Sequence, residues 1–152
     1  MREILFRGQL RRKGEKVNMA GEPLPSIWKY GGVSQYGGGA MIYQAEPKIE
    51  KFPVYGDTVG QYTGLRDKNG ERIFEGDILC IKKRNGTKSR ICFVCFGEYI
   101  DADSAFDNYR CIGFYIKIFD TCCTIGVLWD SEFEYEIIGN IHDNPELLER
   151  ED

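Results

Sequence analysis

Two Asn-Gly pairs, Asn69-Gly70 and Asn85-Gly86, sit between runs of strand-forming residues, and they constrain this chain more than any other feature. A two-residue hairpin loop of the favoured type needs positive φ at both central positions, which Gly and Asn tolerate best. Tyr62, Thr63 and Leu65 before the first pair, and Ile73 and Phe74 after it, favour extended backbone. With Asn69-Gly70 as the loop, Lys68 faces Glu71 and Asp67 faces Arg72, two pairs of opposite charge. Glu75-Gly76-Asp77 then turns the chain into the apolar run Ile78-Leu79-Cys80-Ile81. At the second pair Arg84 faces Thr87 and Lys83 faces Lys88, a like-charged arrangement. Hairpin following hairpin predicts a mainly β chain.

The remaining segments extend that reading. Arg2 to Leu10, Ala40 to Gln44, Cys111 to Phe119, Ile125 to Trp129 and Glu134 to Ile141 read as strands, with Gly113 marking a bulge. Gly21 to Gly39 reads as loop-rich, with Trp28, Tyr30 and Tyr36 as anchors, and Pro23 and Pro25 argue against a central strand there. Glu46 to Lys51 reads as a polar connection. Asn144-Pro145 carries the start signal of a short C-terminal helix: an N-cap, proline at the first position and Glu146 in the first turn. Leu147 and Leu148 would dock that helix. At 152 residues the chain is expected to form a single domain with a real core. Residues 1–56 supply N-terminal strands and the glycine-rich loop, and 57–152 supply a β core with the helix.

Hydrophobic residues make up 42% of the chain, which argues against disorder. The net charge of −4 excludes a global basic field that would draw the protein to nucleic acid or membrane. Any such contact must be local. The candidate is Lys82, Lys83, Arg84, Lys88 and Arg90, which crowd the second hairpin with no acid between Asp77 and Glu98. A cluster of this kind serves either as a soluble tip that discourages edge pairing or as an anion or nucleic-acid contact, with Tyr99 nearby. No stretch approaches the roughly 20 apolar residues of a membrane span, and Met1 to Arg7 has charges where a secretory signal has an apolar run. The expected location is cytoplasmic, away from membranes.

In that compartment six cysteines stay reduced. Cys92 and Cys95 lie in an apolar β-like run, where residues three apart point to opposite faces, and Cys122 and Cys123 also point apart if extended. His142 is the sole histidine. The cysteines therefore read as small buried hydrophobes, and no metal or other cofactor is expected. Gly31-Gly32 and Gly37-Gly38-Gly39 lack the Lys-Ser/Thr of a phosphate loop and read as hairpin loop. Asp101, Asp103 and Asp107 match three positions of a calcium loop, but Phe106 stands where glycine is needed and Ile112 where glutamate is needed. No nucleophile motif accompanies the one histidine, so no catalytic residue is assigned. Chemistry by a pair of carboxylates stays open among 24 acids.

Three blocks carry a family resemblance: the opening MREILFR, the central GQYTGLRDKNGERIFEGDIL (Gly60 to Leu79) and the closing EYEIIGNIHDNPELL (Glu134 to Leu148). Their order and spacing resemble the YopX-like proteins of phages and prophages, and Gly113-Phe114-Tyr115-Ile116 fits a later strand of that family. The resemblance implies a mostly β fold with barrel and sandwich features, built on an SH3-like barrel-type core. It implies no activity and transfers no catalytic residue. Tyr62, Gly64, Leu65, Asp67, Asn69, Gly70, Gly76, Asp77, Gly139 and Asn140 read as turn and core residues. The expectation is a phage or prophage accessory protein that binds a host or phage macromolecule rather than an enzyme. The alternatives are nucleic-acid binding through hairpin 82–90 and a small carboxylate enzyme. A homo-oligomer built on an exposed strand edge stays open.

Overall fold

The computed structural model describes residues 3–14, 17–86, 89–101, 109–118, 124–125 and 132–149. Eleven strands lie among them: β1 Phe6–Gln9, β2 Trp28–Tyr36, β3 Gly39–Gln44, β4 Glu50–Val54, β5 Gly60–Arg66, β6 Arg72–Phe74, β7 Asp77–Lys83, β8 Arg90–Asp101, β9 Tyr109–Ile118, β10 Thr124–Ile125 and β11 Phe133–Asn140. The order is β4-β3-β2-β1-β5-β6 in one sheet and β10-β9-β8-β7-β11 in the other. The chain divides into two compact units, Met1–Tyr62 and Thr63–Asp152, with the division inside β5.

In the first unit every pairing is antiparallel. Arg7 lies opposite Tyr30, Gly32 opposite Tyr43, and Met41 opposite Pro53. Ala40, Ile42 and Val54 are buried, with Phe6, Val33 and Val59 packed on them. The segment read as loop-rich holds the nine-residue strand β2. Glycine weakens a strand, which is why the sequence pointed elsewhere, but it also admits close approach by another backbone. A Cβ on Gly31 would lie 2.0 Å from the Tyr43 carbonyl oxygen, so this position demands glycine. The hairpin loop expected of the glycine run is confined to Gly37-Gly38 between β2 and β3. Glu50 and Lys51, read as connection, begin β4, whose position at the sheet edge tolerates Pro53.

The second unit has its own core: Ile73, Leu79, Ile81, Cys92, Val94, Ile116, Ile118 and Tyr135. β7, β8 and β9 form a meander, with Leu79 opposite Cys92 and Val94 opposite Ile116. β11 lies on the far side of β7, with Tyr135 opposite Ile81. The expected bulge at Gly113 is absent, since Gly97 pairs with Gly113 in an unbroken register. The irregularity falls instead between Ile137 and Gly139 on β11.

Two expectations are corrected. The two antiparallel sheets do not close into a barrel. β11 ends its sheet, and its outer edge is occupied by a turn rather than by another strand, as described below. The C-terminal helix is a single 3-10 turn, Pro145–Leu148. Asn144 does not cap it, because its Oδ1 accepts from the Asn140 backbone N–H at 3.3 Å. That bond turns the side chain back toward β11, and Gly139 leaves the space: a Cβ there would lie 2.6 Å from Asn144 Oδ1.

Candidate functional site

The residues of the central block are occupied in holding the fold. Asp67 is buried and its carboxylate gathers backbone donors. Oδ1 accepts from Asn69 N at 2.8 Å and Glu71 N at 3.0 Å, and Oδ2 accepts from Ile137 N at 3.2 Å. The last bond lies on the outer edge of β11. Beside it Lys68 N donates to the Tyr135 carbonyl at 2.8 Å. The turn therefore satisfies edge groups that would otherwise be open to pairing with another chain. Sequence placed Asn69-Gly70 as a two-residue loop. The loop is in fact three residues: Asp67 N donates to Glu71 O and Gly70 N to Asp67 O, and only glycines have positive φ. A type I turn followed by a left-handed glycine satisfies these facts, with Gly70 at φ +83°. Asp67 thus lies opposite Glu71, not Arg72. Lys68 reaches Glu136, with Nζ 2.6 Å from Oε2.

Asp77 is 1% exposed and accepts from Phe74 N at 2.7 Å. Gly76, at φ +83°, donates to Val94 O and accepts from Ile141 N, tying the strand entry to β8 and to the end of β11. Asn140 Oδ1 accepts from His142 N at 3.0 Å and Asp143 N at 2.9 Å. The two buried acids and this asparagine accept backbone hydrogen bonds at turns and strand ends.

The cysteines follow the strand alternation. Cys92 is buried and Cys95 half-buried on opposite faces of β8. Burial pushes the Cys92 thiol up to about 12, and it also raises Cys95. Cys92 is thereby kept as the thiol at neutral pH, the unreactive form. Cys122 and Cys123 lie outside the described residues. Among the described residues no three His, Cys, Asp or Glu side chains gather as a metal site.

The basic hairpin occupies the end of β7 and the start of β8. Lys82, Arg84 and Arg90 are exposed and Lys83 is half-buried, while Lys88 lies outside the described residues. Register separates the cations. Arg90 lies opposite Ile81 and so shares a face with Ile81 and Lys83, whereas Lys82 points to the other side. Lys83 Nζ sits 5.6 Å from the Phe133 ring centroid. An acid absent from the local sequence arrives from β11, where Glu134 lies opposite Lys82, and the Arg84 backbone N–H donates to the backbone carbonyl of Glu132, the residue before β11, at 2.9 Å.

Sequence reasoning missed a second feature. β7 pairs with β8 only as far as Ile78 opposite Phe93, while β8 and β9 stay paired out to Asp101 and Tyr109. The face that carries Cys92, Val94, Ile116 and Ile118 in the core continues outward as Phe96, Phe114, Ile112 and Ile100. There Phe96 is 52%, Ile100 47% and Ile112 80% exposed. Phe96 meets Phe114 edge-on at 5.0 Å between centroids, and Arg110 pairs with Glu98 at 3.2 Å. The apolar β-like run Ile91 to Phe96 was visible, but its continuation through Ile100 was not. Nothing local showed that its apolar face runs off the core.

The YopX protein family model matches residues 34–149. No curated protein matches the sequence. Among solved structures, protein EF1440 from Enterococcus faecalis is similar at 24% identity with a TM-score of 0.41, over 96% of this chain and 98% of that one. The family match takes in both hairpins, the edge-binding turn and the closing Gly139-Asn140 corner, and on it this chain belongs to the YopX protein family.

Proposed function

We propose that this protein is a non-enzymatic binding module of phage or prophage origin that acts in the host cytoplasm on a protein partner. The observation that supports this reading is the part of the β8–β9 ribbon beyond the β7 pairing, with Phe96, Ile100 and Ile112 exposed along one face and the Glu98–Arg110 pair among them. Neighbouring exposed apolar side chains mark interaction surfaces, and a charge pair set among them supplies the polar contacts that give a protein–protein interface its specificity. The buried carboxylates, which a small hydrolytic enzyme would draw on, are instead bonded to backbone N–H groups.

Site-specific photocrosslinking in host cells tests this. A benzophenone side chain at Ile112 should give a discrete adduct with a protein, lost when Phe96 is changed to Asp. The same group at exposed Glu22 should not give that adduct. Equal adducts from both positions, or none from Ile112, would sink the reading.

A second reading, nucleic-acid contact through Lys82, Lys83, Arg84, Lys88 and Arg90, is favoured by the exposure of Lys82, Arg84 and Arg90. It is opposed by Glu134, which faces Lys82 across the strand pair and would repel a phosphate there.

A further inference from the structure

The charge of this chain is unevenly divided. Residues 1–62 hold nine Lys and Arg against six Asp and Glu, a net +3; residues 63–152 hold eleven against eighteen, a net −7. The basic hairpin therefore sits in the acidic unit, and the basic unit lies elsewhere in the sequence. In that first unit, cations and aromatic rings are interleaved. Arg7 Cζ lies 4.8 Å from the Trp28 ring centroid, Lys29 Nζ 4.1 Å from Phe52, and Arg11 Cζ 6.0 Å from Tyr55.

Register shows what one face of the sheet presents. Buried Ile42 and Val54, with partly buried Val33 packed on them, mark the inner face of β2, β3 and β4. Alternation then places Tyr30, Gly32, Tyr43 and Lys51 on the other face. Lys51 lies opposite Tyr43, and Tyr43 opposite Gly32, so a cation, an aromatic ring and a glycine form one row across three strands. Tyr30 stands two residues from Gly32 on the same strand, about 7 Å along it. Tyr30 is 45% and Tyr43 42% exposed, and no atom lies within 4 Å of where a Gly32 Cβ would be. The glycine thus leaves open space beside Tyr43, with Tyr30 diagonal to Tyr43 on β2. Arg11 and Lys13 are exposed at the end of the neighbouring strand.

Rings set on a sheet at this spacing, with cations beside them, fit the bases and phosphates of an unpaired strand: each base has a π-face to stack, and each phosphate a charge to neutralise. A duplex hides its base faces, and a protein partner would not need the excess of positive charge. We propose that the outer face of β2–β3–β4 binds single-stranded nucleic acid. Tyr30 and Tyr43, diagonal to one another on neighbouring strands, stack successive bases, Gly32 leaves room beside Tyr43, and Lys51 meets the phosphate on its other side. This site shares no residue with the β8–β9 ribbon or with hairpin 82–90, and it stands whether or not either of them binds anything.

The test is fluorescence anisotropy of labelled 12-nucleotide oligo-dT and oligo-U, titrated with the full chain between 50 and 200 mM salt. Binding should weaken with salt with a log–log slope near −2, which reports about three phosphates at roughly −0.7 each. Tyr43→Ala and Tyr30→Ala should each weaken binding about tenfold, the effect of losing one stacked base. Tyr43→Phe, which keeps the ring and loses the hydroxyl, should bind as the unaltered protein does. Lys51→Glu should weaken binding and flatten the salt slope. Circular dichroism checks that each variant is folded, and the phenylalanine variant separates stacking from any structural role of the tyrosine. An unlabelled duplex of the same length should compete poorly. No binding at tens of micromolar protein in 50 mM salt would overturn the proposal. So would unchanged affinity in the Tyr43→Ala variant, or loss confined to the Lys82→Glu/Arg84→Glu double variant, which would move the site to the hairpin.

Discussion

The two Asn-Gly turns of the second unit share one local geometry and differ in the side chain that opens each of them. In each, the glycine N–H closes the turn onto the carbonyl three residues back, Gly70 onto Asp67 and Gly86 onto Lys83, both at 3.0 Å. Each glycine sits at φ +83°. Each turn is also tied to the β11 segment, the first through Lys68 N to Tyr135 O on the strand and the second through Arg84 N to Glu132 O just before it. Only the first has a carboxylate at its opening position, and that carboxylate also accepts from Ile137 N on the edge of β11. The second has Lys83 there, resting on Phe133. The same dipeptide makes the bend in both. The residue before the bend decides whether the turn is a buried tie or an exposed tip.

The largest effect should come from removing that carboxylate. Asp67→Ala strips an acceptor from three backbone N–H groups, two in the turn and one on β11. It should cost about 3 kcal/mol, read from the midpoint of urea unfolding. The corresponding change in the other turn, Lys83→Ala, should cost well under about 1 kcal/mol, since it loses one half-exposed ring contact. Equal costs would erase the distinction between the turns.

Next come the glycines. At both Gly70 and Gly86 a Cβ would meet nothing within 4 Å, so only backbone conformation resists substitution. Gly70→Ala and Gly86→Ala should each cost about 1–2 kcal/mol, the penalty for a left-handed L-residue. A much smaller value at Gly86 would show that the second turn rearranges at little cost. Asn69→Ala should be milder still, at most about 0.5 kcal/mol, because its side chain touches Asp67 only at 3.5 Å while its backbone N–H keeps the short bond.

The smallest effect is electrostatic. The hydrogen bond to Glu136 raises the Lys68 ammonium above its usual 10.5, helped by the charges of Glu136 and Glu134 and offset in part by desolvation. A raised folded-state value means that the stabilisation is fully present below the unfolded pKa and is lost as pH rises through the folded one. An NMR titration of the Lys68 side chain should therefore show a midpoint above 10.5, and Glu136→Gln should bring it down. A midpoint that ignores Glu136 would detach this turn from β11's charges.

What could be read in advance follows the range of the forces involved. The positions of both turns were legible, because Asn-Gly acts within four residues. The loop length of the first was not. It depends on Asp67 engaging Glu71 N within the turn and Ile137 N far along the chain. β2 went unread because its glycines argue against a strand, while the reason for Gly31 is a carbonyl on Tyr43. The basic cluster was legible as composition. Its division between two faces, and the glutamate opposite Lys82, needed the register of β7 with both of its neighbours. Of the exposed ribbon, the run from Cys111 onward was legible as a strand, but the extension of β8 past Phe96 and the point where the core stops beneath it were not.

By itself, the sequence determined that this is an antiparallel β protein of the YopX family, with turns at its two Asn-Gly pairs, thiols distributed along strands and a negative net charge. These follow from local backbone preference, side-chain alternation and composition. Tertiary structure alone decided which faces are buried, which edge the Asp67 turn occupies, which acids stand beside which cations, and that Tyr30, Tyr43 and Lys51 share an outer face. The physical reason is that each of these depends on strand register and on groups far apart in the chain, and a shift of one residue in register would turn every side chain to the opposite face.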